Sequence, residues 1–175
     1  MTIFQRAFRP FKYIKHRYVG HHFRVLSAAL KTVLLGHVFV EYGYWAGACQ
    51  GPSMLPTIEV YGDWVLVSKA YRRGRGIKIG DLVQFDSVVE PGVKVVKTVL
   101  GMEGDYVLRN SPGTNDEMLQ IPQGHCWVVG DNLDASRDSR MFGPMPMALI
   151  EGKVIAKVLP WNERRWIENG LKPVE

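Results

Sequence analysis

The run Val93-Lys94-Val95-Val96-Lys97-Thr98-Val99-Leu100-Gly101 decides the fold class of this 175-residue chain. Its apolar residues alternate with a period of two, which is typical of a half-buried β-strand. On that pattern Lys97 shares one face of the strand with Val93, Val95 and Val99. Burial disfavours the charged form of an amine and lowers its pKa. Lys97 is therefore a candidate general base, unless this face of the strand is open to solvent.

The residues around this run also indicate β-structure. Gly-Asp pairs recur at 62–63, 80–81, 104–105 and 130–131. Gly supplies a positive φ and Asp caps a turn, so the first three pairs predict the corners before three short strands: Trp64–Val67, Leu82–Phe85 and Tyr106–Leu108. Further strand-like runs are Cys126–Val129 and Ala148–Trp161, and helical composition appears only around Asn162–Gly170. The sequence predicts a mostly β domain of antiparallel hairpins with a barrel-like body.

A serine lies in the proline-rich run Gly51-Pro52-Ser53-Met54-Leu55-Pro56-Thr57, just before the first strand. Each proline fixes its own φ near about −65° and disfavours helix at the residue before it. We therefore expect a stiff, non-helical backbone that presents the Ser53 hydroxyl at the edge of the core. The alternative is an inactive proline-rich connector.

The charges are unevenly distributed along the chain. Up to Val40 there are seven basic residues and no Asp or Glu, whereas residues 41–175 carry 15 Lys and Arg against 17 acids. The net charge of +5 is therefore a property of the N-terminal part, and the remainder carries −2. This distribution argues against nucleic-acid binding and favours a targeting or membrane-facing arm over residues 1–24.

An apolar stretch over residues 25–45 follows this arm and has the length of about 20 residues that a membrane-spanning helix needs. Lys31, His37 and Glu41 interrupt it, and Tyr42, Tyr44 and Trp45 could form an interfacial aromatic belt. A single transmembrane anchor is the favoured interpretation. A helix lying in the membrane interface and a signal segment cleaved after Ala46-Gly47-Ala48 are the alternatives. Residues 46–175 then form the folded domain.

The cysteines and histidines carry no recognisable site. Cys49 and Cys126 lack metal-site or redox spacing, and we expect two thiols rather than a disulfide. His125 is the only histidine in the body, so neither a Ser-His-Asp arrangement nor a metal centre is predicted. A serine without a histidine needs another base, and a neutral lysine can serve.

Two polar segments remain. Arg72, Arg73, Arg75 and Lys78 form a basic cluster, which is either a solvated loop tip or a contact for anionic lipid or a partner subunit. The segment Gly130–Arg140 is dense in Asp, Asn, Ser and Arg. It is either a solvated loop or a rigid shelf held by Asp–Arg pairs and side-chain caps.

Three motifs occur in order: Ser53–Thr57, then Lys97 ahead of Gly101-Met102-Glu103-Gly104-Asp105, then Gly130-Asp131-Asn132 with Ser136 and Asp138-Ser139-Arg140. Over roughly residues 50–158 they resemble the type I signal peptidases, and most closely the members of that family in the mitochondrial inner membrane. The resemblance implies a membrane-anchored serine endopeptidase that faces the intermembrane space. It would remove sorting signals from membrane-tethered precursors beside a second, related subunit, without a metal or cofactor.

The resemblance also implies roles for individual residues. Ser53 would be the nucleophile, with its backbone N–H as one oxyanion donor, and Lys97 would be the general base. Ser136 would orient the Lys97 amine. The supporting residues of the shelf would be Asp131, Asn132, Asp138 and Arg140.

Two positions depart from the family pattern. Gly51 stands where many bacterial members carry a serine whose hydroxyl completes the oxyanion hole, so a backbone group or water must replace it. Thr98 stands where arginine commonly pairs with the shelf aspartate, so Asp131 lacks that partner.

Other functions remain open from the sequence alone. They are a bacterial or plastid signal peptidase, a catalytically silent scaffold subunit, and a self-cleaving repressor with serine–lysine chemistry. Intact Ser53, Lys97 and Ser136 argue against the silent subunit, and the repressor would need a helix-turn-helix arm.

Overall fold

The computed structural model describes residues 9–109 and 117–169, and the chain divides into two compact units, residues 1–41 and 42–175. The helices are α1 (Arg9–Tyr42) and α2 (Ser139–Phe142). The strands are β1 (Tyr44–Ala48), β2 (Trp64–Ser68), β3 (Leu82–Asp86), β4 (Lys94–Gly101), β5 (Tyr106–Leu108), β6 (Met118–Gln120), β7 (His125–Val129), β8 (Met145–Pro146), β9 (Ile150–Leu159) and β10 (Arg165–Trp166).

Helix α1 runs through the predicted arm and most of the predicted anchor. It is continuous from Arg9 to Tyr42, and its candidate membrane span covers Gly20–Tyr42. This span has 23 residues and a mean hydropathy of 1.5, and its most apolar window is not buried in the protein. The helix ends before Gly43, and Tyr44 and Trp45 pair with β2, so these two residues do not belong to a helical aromatic belt. The first eight residues of the arm lie outside the described residues.

The second unit is a curled, mostly antiparallel half-barrel, which confirms the predicted fold class. Its main sheet has the order β1-β2-β9-β3-β4-β7-β8, with β10 added beside β9, and β5 and β6 form a separate hairpin. The long strand β9 crosses the middle of the sheet between β2 and β3. Strands far apart in sequence are thereby brought together around β4.

Three of the four Gly-Asp pairs form turns as predicted. Gly62, Gly80 and Gly104 have φ values of 94°, 89° and 90°, which a residue with a Cβ rarely adopts. Each following Asp carboxylate accepts a backbone N–H from a residue three or four positions earlier. Gly130 differs, because it has no positive φ and its role depends on close packing instead.

The alternation of β4 places Lys97 inside the body. Val95 is half-buried, Val99 is fully buried and Lys97 is only 4% exposed, whereas Leu100 on the opposite face is exposed. Val93 precedes the strand and is exposed. The adjoining core contains Val83, Phe85, Val99 and Val128.

Two further expectations can be compared with the structure. Residues 162–169 do not form an α-helix, and Gly170 lies outside the described residues. A 3₁₀ turn covers Trp161–Glu163 and β10 then pairs with β9, so strand pairing overrides helical composition. Cys49 is half-buried and Cys126 is buried, and both are free thiols in the structure. Burial raises their pKa values to about 11 and about 12, with the Asp63 charge adding to the effect at Cys49.

Candidate active site

Ser53 lies in a single 3₁₀ turn, Pro52–Met54, within the connection from β1 to β2. The sequence predicted a non-helical backbone here, which is wrong for this one turn, because proline at the first helical position is compatible with it. Gly51 precedes the turn with φ = 105°, a conformation that favours glycine. Met54 is buried and anchors the turn in the core beside β2 and β9. The hydroxyl is therefore held by a short, fixed segment.

The base of this connection is also fixed. The Cys49 N–H donates to the Asp63 carbonyl (2.8 Å), and the Gly51 N–H donates to the Val60 carbonyl (3.0 Å). The buried Asp63 carboxylate accepts from the Glu59 N–H and pairs with Lys157 Nζ at 2.7 Å. These contacts hold both sides of the Ser53 loop together.

Lys97 Nζ lies 2.6 Å from Ser53 Oγ, across 44 positions of sequence. Burial lowers the pKa of this amine from its ordinary value, while the charges of Asp138 and Asp131 partly oppose that effect. A buried amine with a lowered pKa beside a serine hydroxyl can accept the proton of that hydroxyl. The structure thus brings together the two residues for which the sequence predicted a chemical role.

The shelf after β7 is organised by Asp138. Its fully buried carboxylate pairs with Arg140 (Nε–Oδ1, 2.9 Å) and accepts the Gly130 N–H at 3.0 Å. Burial by itself would raise the pKa of Asp138, but the hydrogen bonds from Arg140 and Gly130 outweigh it and lower that pKa below its ordinary value. Arg140 Nη2 also donates to the Leu133 carbonyl at 2.6 Å. These contacts hold Asp138–Arg140 against the end of β7, as the shelf interpretation predicts, while residues 133–135 are exposed to solvent.

The shelf contacts the Ser53 turn through its backbone. The Asn132 N–H donates to the Ser53 carbonyl at 3.1 Å. A Cβ on Gly130 would lie 2.5 Å from that same carbonyl oxygen and closer still to Ser136 Oγ. Gly130 therefore permits a backbone approach that no larger residue would allow. Asn132 acts here through its N–H, which the sequence did not indicate.

Ser136 is buried, at 7% exposure, beside this contact. Its Oγ helps to lower the pKa of Asp138, but it makes no hydrogen bond with Lys97 within ordinary donor–acceptor geometry. The structure thus lacks the orienting hydrogen bond that the resemblance implied. Ser136 instead packs over Gly130.

Asp131 is held by two threonines in place of the missing arginine. Thr98 Oγ1 donates to Asp131 Oδ1 at 2.7 Å, and Thr57 Oγ1 donates to Oδ2. Thr57 belongs to the Ser53 segment and Thr98 directly follows Lys97, so one carboxylate links the two segments that carry the pair. Sequence reasoning missed Thr57, and its place in the proline-rich run was the available signal.

Two depressions open beside Ser53. One lies along Gly51 and Val93–Val96, towards Trp45. The other is lined by Val95, Lys97 and Phe142, with Glu90 and Arg137 paired at its rim at 2.9 Å. Gly51 has no side chain to donate a hydrogen bond, and the space next to its Cα is open. Among the described residues, no three His, Cys, Asp or Glu side chains gather as a metal-ligand set.

The second unit thus combines a curled half-barrel with a serine hydroxyl in hydrogen-bond contact with a buried lysine amine. The chain belongs to the family "Signal peptidase, peptidase S26", which it matches over residues 22–113 and 109–161.

Two relatives with mitochondrial names agree with this membership. The mitochondrial inner membrane protease subunit 1 of Schizosaccharomyces pombe is 36% identical over 154 residues, which cover 87% of this chain and 96% of the relative. The mitochondrial inner membrane protease subunit 2 of Danio rerio is 34% identical over 129 residues, 73% of this chain and 68% of the relative. The crystal structure of a signal peptidase I from Enterococcus faecalis V583 matches 45% of this chain and 96% of its own, with 24% identity and a TM-score of 0.38. The protein is a signal-peptidase-type peptidase.

Proposed function

We propose that this protein is a membrane-anchored serine endopeptidase in which Ser53 is the nucleophile and Lys97 is the general base. The observation that carries the proposal is the 2.6 Å contact between Lys97 Nζ and Ser53 Oγ, in a site where burial lowers the pKa of the lysine.

The first half of the reaction forms an acyl-enzyme. Neutral Lys97 takes the proton of the Ser53 hydroxyl while Oγ attacks the carbonyl carbon of the scissile peptide bond. The Ser53 N–H donates to the resulting oxyanion, and water supplies a further donor in the open space beside Gly51. The Lys97 ammonium then gives its proton to the leaving amine, and the peptide bond breaks.

The second half restores the enzyme. Lys97, neutral again, takes a proton from a water molecule that attacks the ester carbon. The ester bond to Ser53 Oγ breaks, and the proton held by Lys97 returns to that oxygen. Asp131, Asn132, Ser136, Asp138 and Arg140 are positioning residues that keep the shelf against the Ser53 turn.

The substrates we propose are precursor proteins tethered to the membrane. The strand backbone at Lys94–Val96 borders one depression, where a substrate strand could pair. The candidate span Gly20–Tyr42 leaves only ten residues between Tyr42 and Ser53, and an extended residue covers at most about 3.3–3.6 Å. Cleavage would therefore occur near the bilayer.

The proposed location is the mitochondrial inner membrane, with the folded unit in the intermembrane space and a second, related subunit as its partner. Relatives named as subunits 1 and 2 of a mitochondrial inner membrane protease support a complex. The basic, acid-free residues before the candidate span fit an arm that stays on the matrix side of this membrane.

Cleavage by matched variants tests the proposal. The full chain is purified in detergent and assayed on a membrane-tethered precursor, alone and with the second subunit. We expect Ser53→Ala and Lys97→Met each to abolish cleavage. Lys153→Met is the control, because it removes an amine on β9 of the same sheet that pairs with Asp81 at 2.7 Å instead of with Ser53.

The outcomes separate the alternatives. Cleavage by both the Ser53 and the Lys97 variants would rule out the proposed pair. A folded wild type that never cleaves, even with its partner, would instead be a silent scaffold subunit. Extraction of membranes with alkaline carbonate tests the anchor, and release of the protein into the supernatant would contradict it.

A further inference from the structure

We propose that the segment Lys69–Lys78, here called the basic segment, binds anionic lipid headgroups at the surface of the bilayer that α1 crosses. This inference depends on the membrane anchor of the proposed function, but not on the chemistry at Ser53. The basic segment contains five cations, at positions 69, 72, 73, 75 and 78, and no acidic residue.

Its position follows from strand pairing within the folded unit. The Lys69 N–H donates to the Gly43 carbonyl at 2.8 Å, and Tyr44 pairs with Ser68 in the register of β1 and β2. Gly43 is the residue directly after the candidate span. The basic segment therefore begins where the chain leaves the membrane. Arg73 is four residues beyond Lys69, and an extended residue covers at most about 3.3–3.6 Å, so Arg73 lies within roughly 15 Å of that point.

The segment is built with an apolar inner side and a cationic outer side. Ile77 is buried in the core, and Tyr71 packs against the same core beneath Lys153. Gly74 has a φ of 78° and approaches Met147 so closely that a Cβ would lie 2.9 Å from it. Arg73, Arg75 and Lys78 are exposed on the outer side. The cations are thus presented by a packed element.

The charge of these three side chains is available for an outside ligand. No acidic side chain among the described residues forms a salt bridge with Arg73, Arg75 or Lys78. The neighbouring carboxylate of Asp81 is buried and is already paired with Lys153 at 2.7 Å.

The rest of the body could not make this contact. Residues 41–175 carry 15 basic and 17 acidic residues, so without the five cations of the basic segment they would have a charge of −7. An anionic surface repels such a body and attracts the basic segment. Each cation near the surface strengthens binding by about 1 kcal/mol, which is about fivefold. The acidic face of a partner subunit is the competing ligand, and the experiment tests for it.

The experiment measures amide hydrogen exchange of the basic segment in the full chain. The chain is placed in nanodiscs of phosphatidylcholine, with and without phosphatidylglycerol, in the absence of other subunits. We expect protection of the basic segment only when phosphatidylglycerol is present. Raising the salt to about 1 M should remove this protection, because the Debye length then falls to about 3 Å.

Matched variants assign the effect to charge. The double variant Arg73→Gln with Lys78→Gln should lower the lipid-dependent protection about 25-fold, from two cations at about fivefold each. The control is Arg109→Gln with Arg164→Gln, which removes two exposed cations elsewhere on the body and should leave the protection unchanged. Precursor cleavage in detergent should be equal in both double variants.

Several results would overturn the proposal. They are protection in both lipid mixtures, protection in neither, protection that appears only when the second subunit is added, and equal protection by inorganic phosphate in phosphatidylcholine discs. A chain that does not enter phosphatidylcholine discs would refute the anchor and this proposal together. Inactive wild type with intact lipid-dependent protection would refute the catalytic proposal alone.

Discussion

Gly130→Ala tests whether the shelf sets the position of the nucleophile. Gly130 has ordinary backbone angles, so alanine introduces no backbone strain there and acts through its Cβ alone. That Cβ would lie 2.5 Å from the Ser53 carbonyl oxygen, and real Cβ contacts essentially never fall below 3.0 Å. The shelf and the Ser53 turn must therefore separate by about 0.5 Å or more.

The expected effect on catalysis follows from this displacement. A misplacement of about 1 Å can cost about 100-fold in rate, so we expect kcat/KM to fall about 10- to 100-fold. The overpacked site should also destabilise the fold by about 1–3 kcal/mol. Steady-state cleavage of a precursor peptide measures the first effect, and thermal unfolding measures the second.

Gly152→Ala is the matched control. Its Cβ would lie 2.5 Å from the Ser68 carbonyl oxygen, an equally close backbone contact between β9 and β2. We expect a similar loss of stability with the wild-type kcat/KM, when both are assayed well below their Tm. A folded Gly130→Ala variant that cleaves like the wild type would refute the positioning role of the shelf.

Two further predictions concern ionisation. Because burial lowers the pKa of Lys97, kcat/KM should rise with pH through that lowered pKa. The substitution Lys97→Met should raise the Tm at neutral pH, because it removes a lysine that is protonated more easily in the unfolded chain than in the folded one. An unchanged or lower Tm in Lys97→Met would contradict this reasoning. The pKa of Asp138 is instead lowered, so its stabilising effect is present above the unfolded value of about 3.9 and is lost as the pH falls through the folded value. Asp138→Asn should lower the free energy of unfolding by about 2–4 kcal/mol at neutral pH, somewhat less than the loss of a fully buried pair because Arg140 is 18% exposed. The loss of stability at acid pH, measured by urea unfolding, should be smaller in this variant than in the wild type.

The alternation of apolar residues and the turn-forming Gly-Asp pairs predicted the parts of the fold that depend on local sequence. The two-residue alternation of β4 was sufficient to predict that Lys97 is buried on the same face as valines. The Gly-Asp pairs were sufficient to place three turns, because both the positive φ and the carboxylate cap are properties of neighbouring residues. The end of α1 was misplaced because aromatic residues continue the apolar run past Gly43, although they already belong to the sheet.

The parts that escaped prediction depend on contacts across the fold. In the sequence, Gly130 resembles the other three Gly-Asp glycines. Only the nearby Ser53 carbonyl shows that this position requires a residue without a Cβ. The hydrogen bond from Thr57 to Asp131 joins residues 74 positions apart. Ser136 follows the family pattern in sequence, yet its hydroxyl does not reach Lys97.

The change from arginine to Thr98 alters the electrostatics of the site as well as its contacts. A guanidinium beside Lys97 would favour the neutral amine by like-charge repulsion, whereas a threonine hydroxyl adds no charge. The charges of Asp131 and Asp138 remain and favour the ammonium form, so burial must outweigh both to keep the pKa of Lys97 low. The two threonine hydroxyls satisfy Asp131 without adding a positive charge, and the close packing at Gly130 holds Ser136 and the Ser53 carbonyl together. Burial is what keeps the pKa of Lys97 low in this chain, so a change that opens the site to water should raise that pKa.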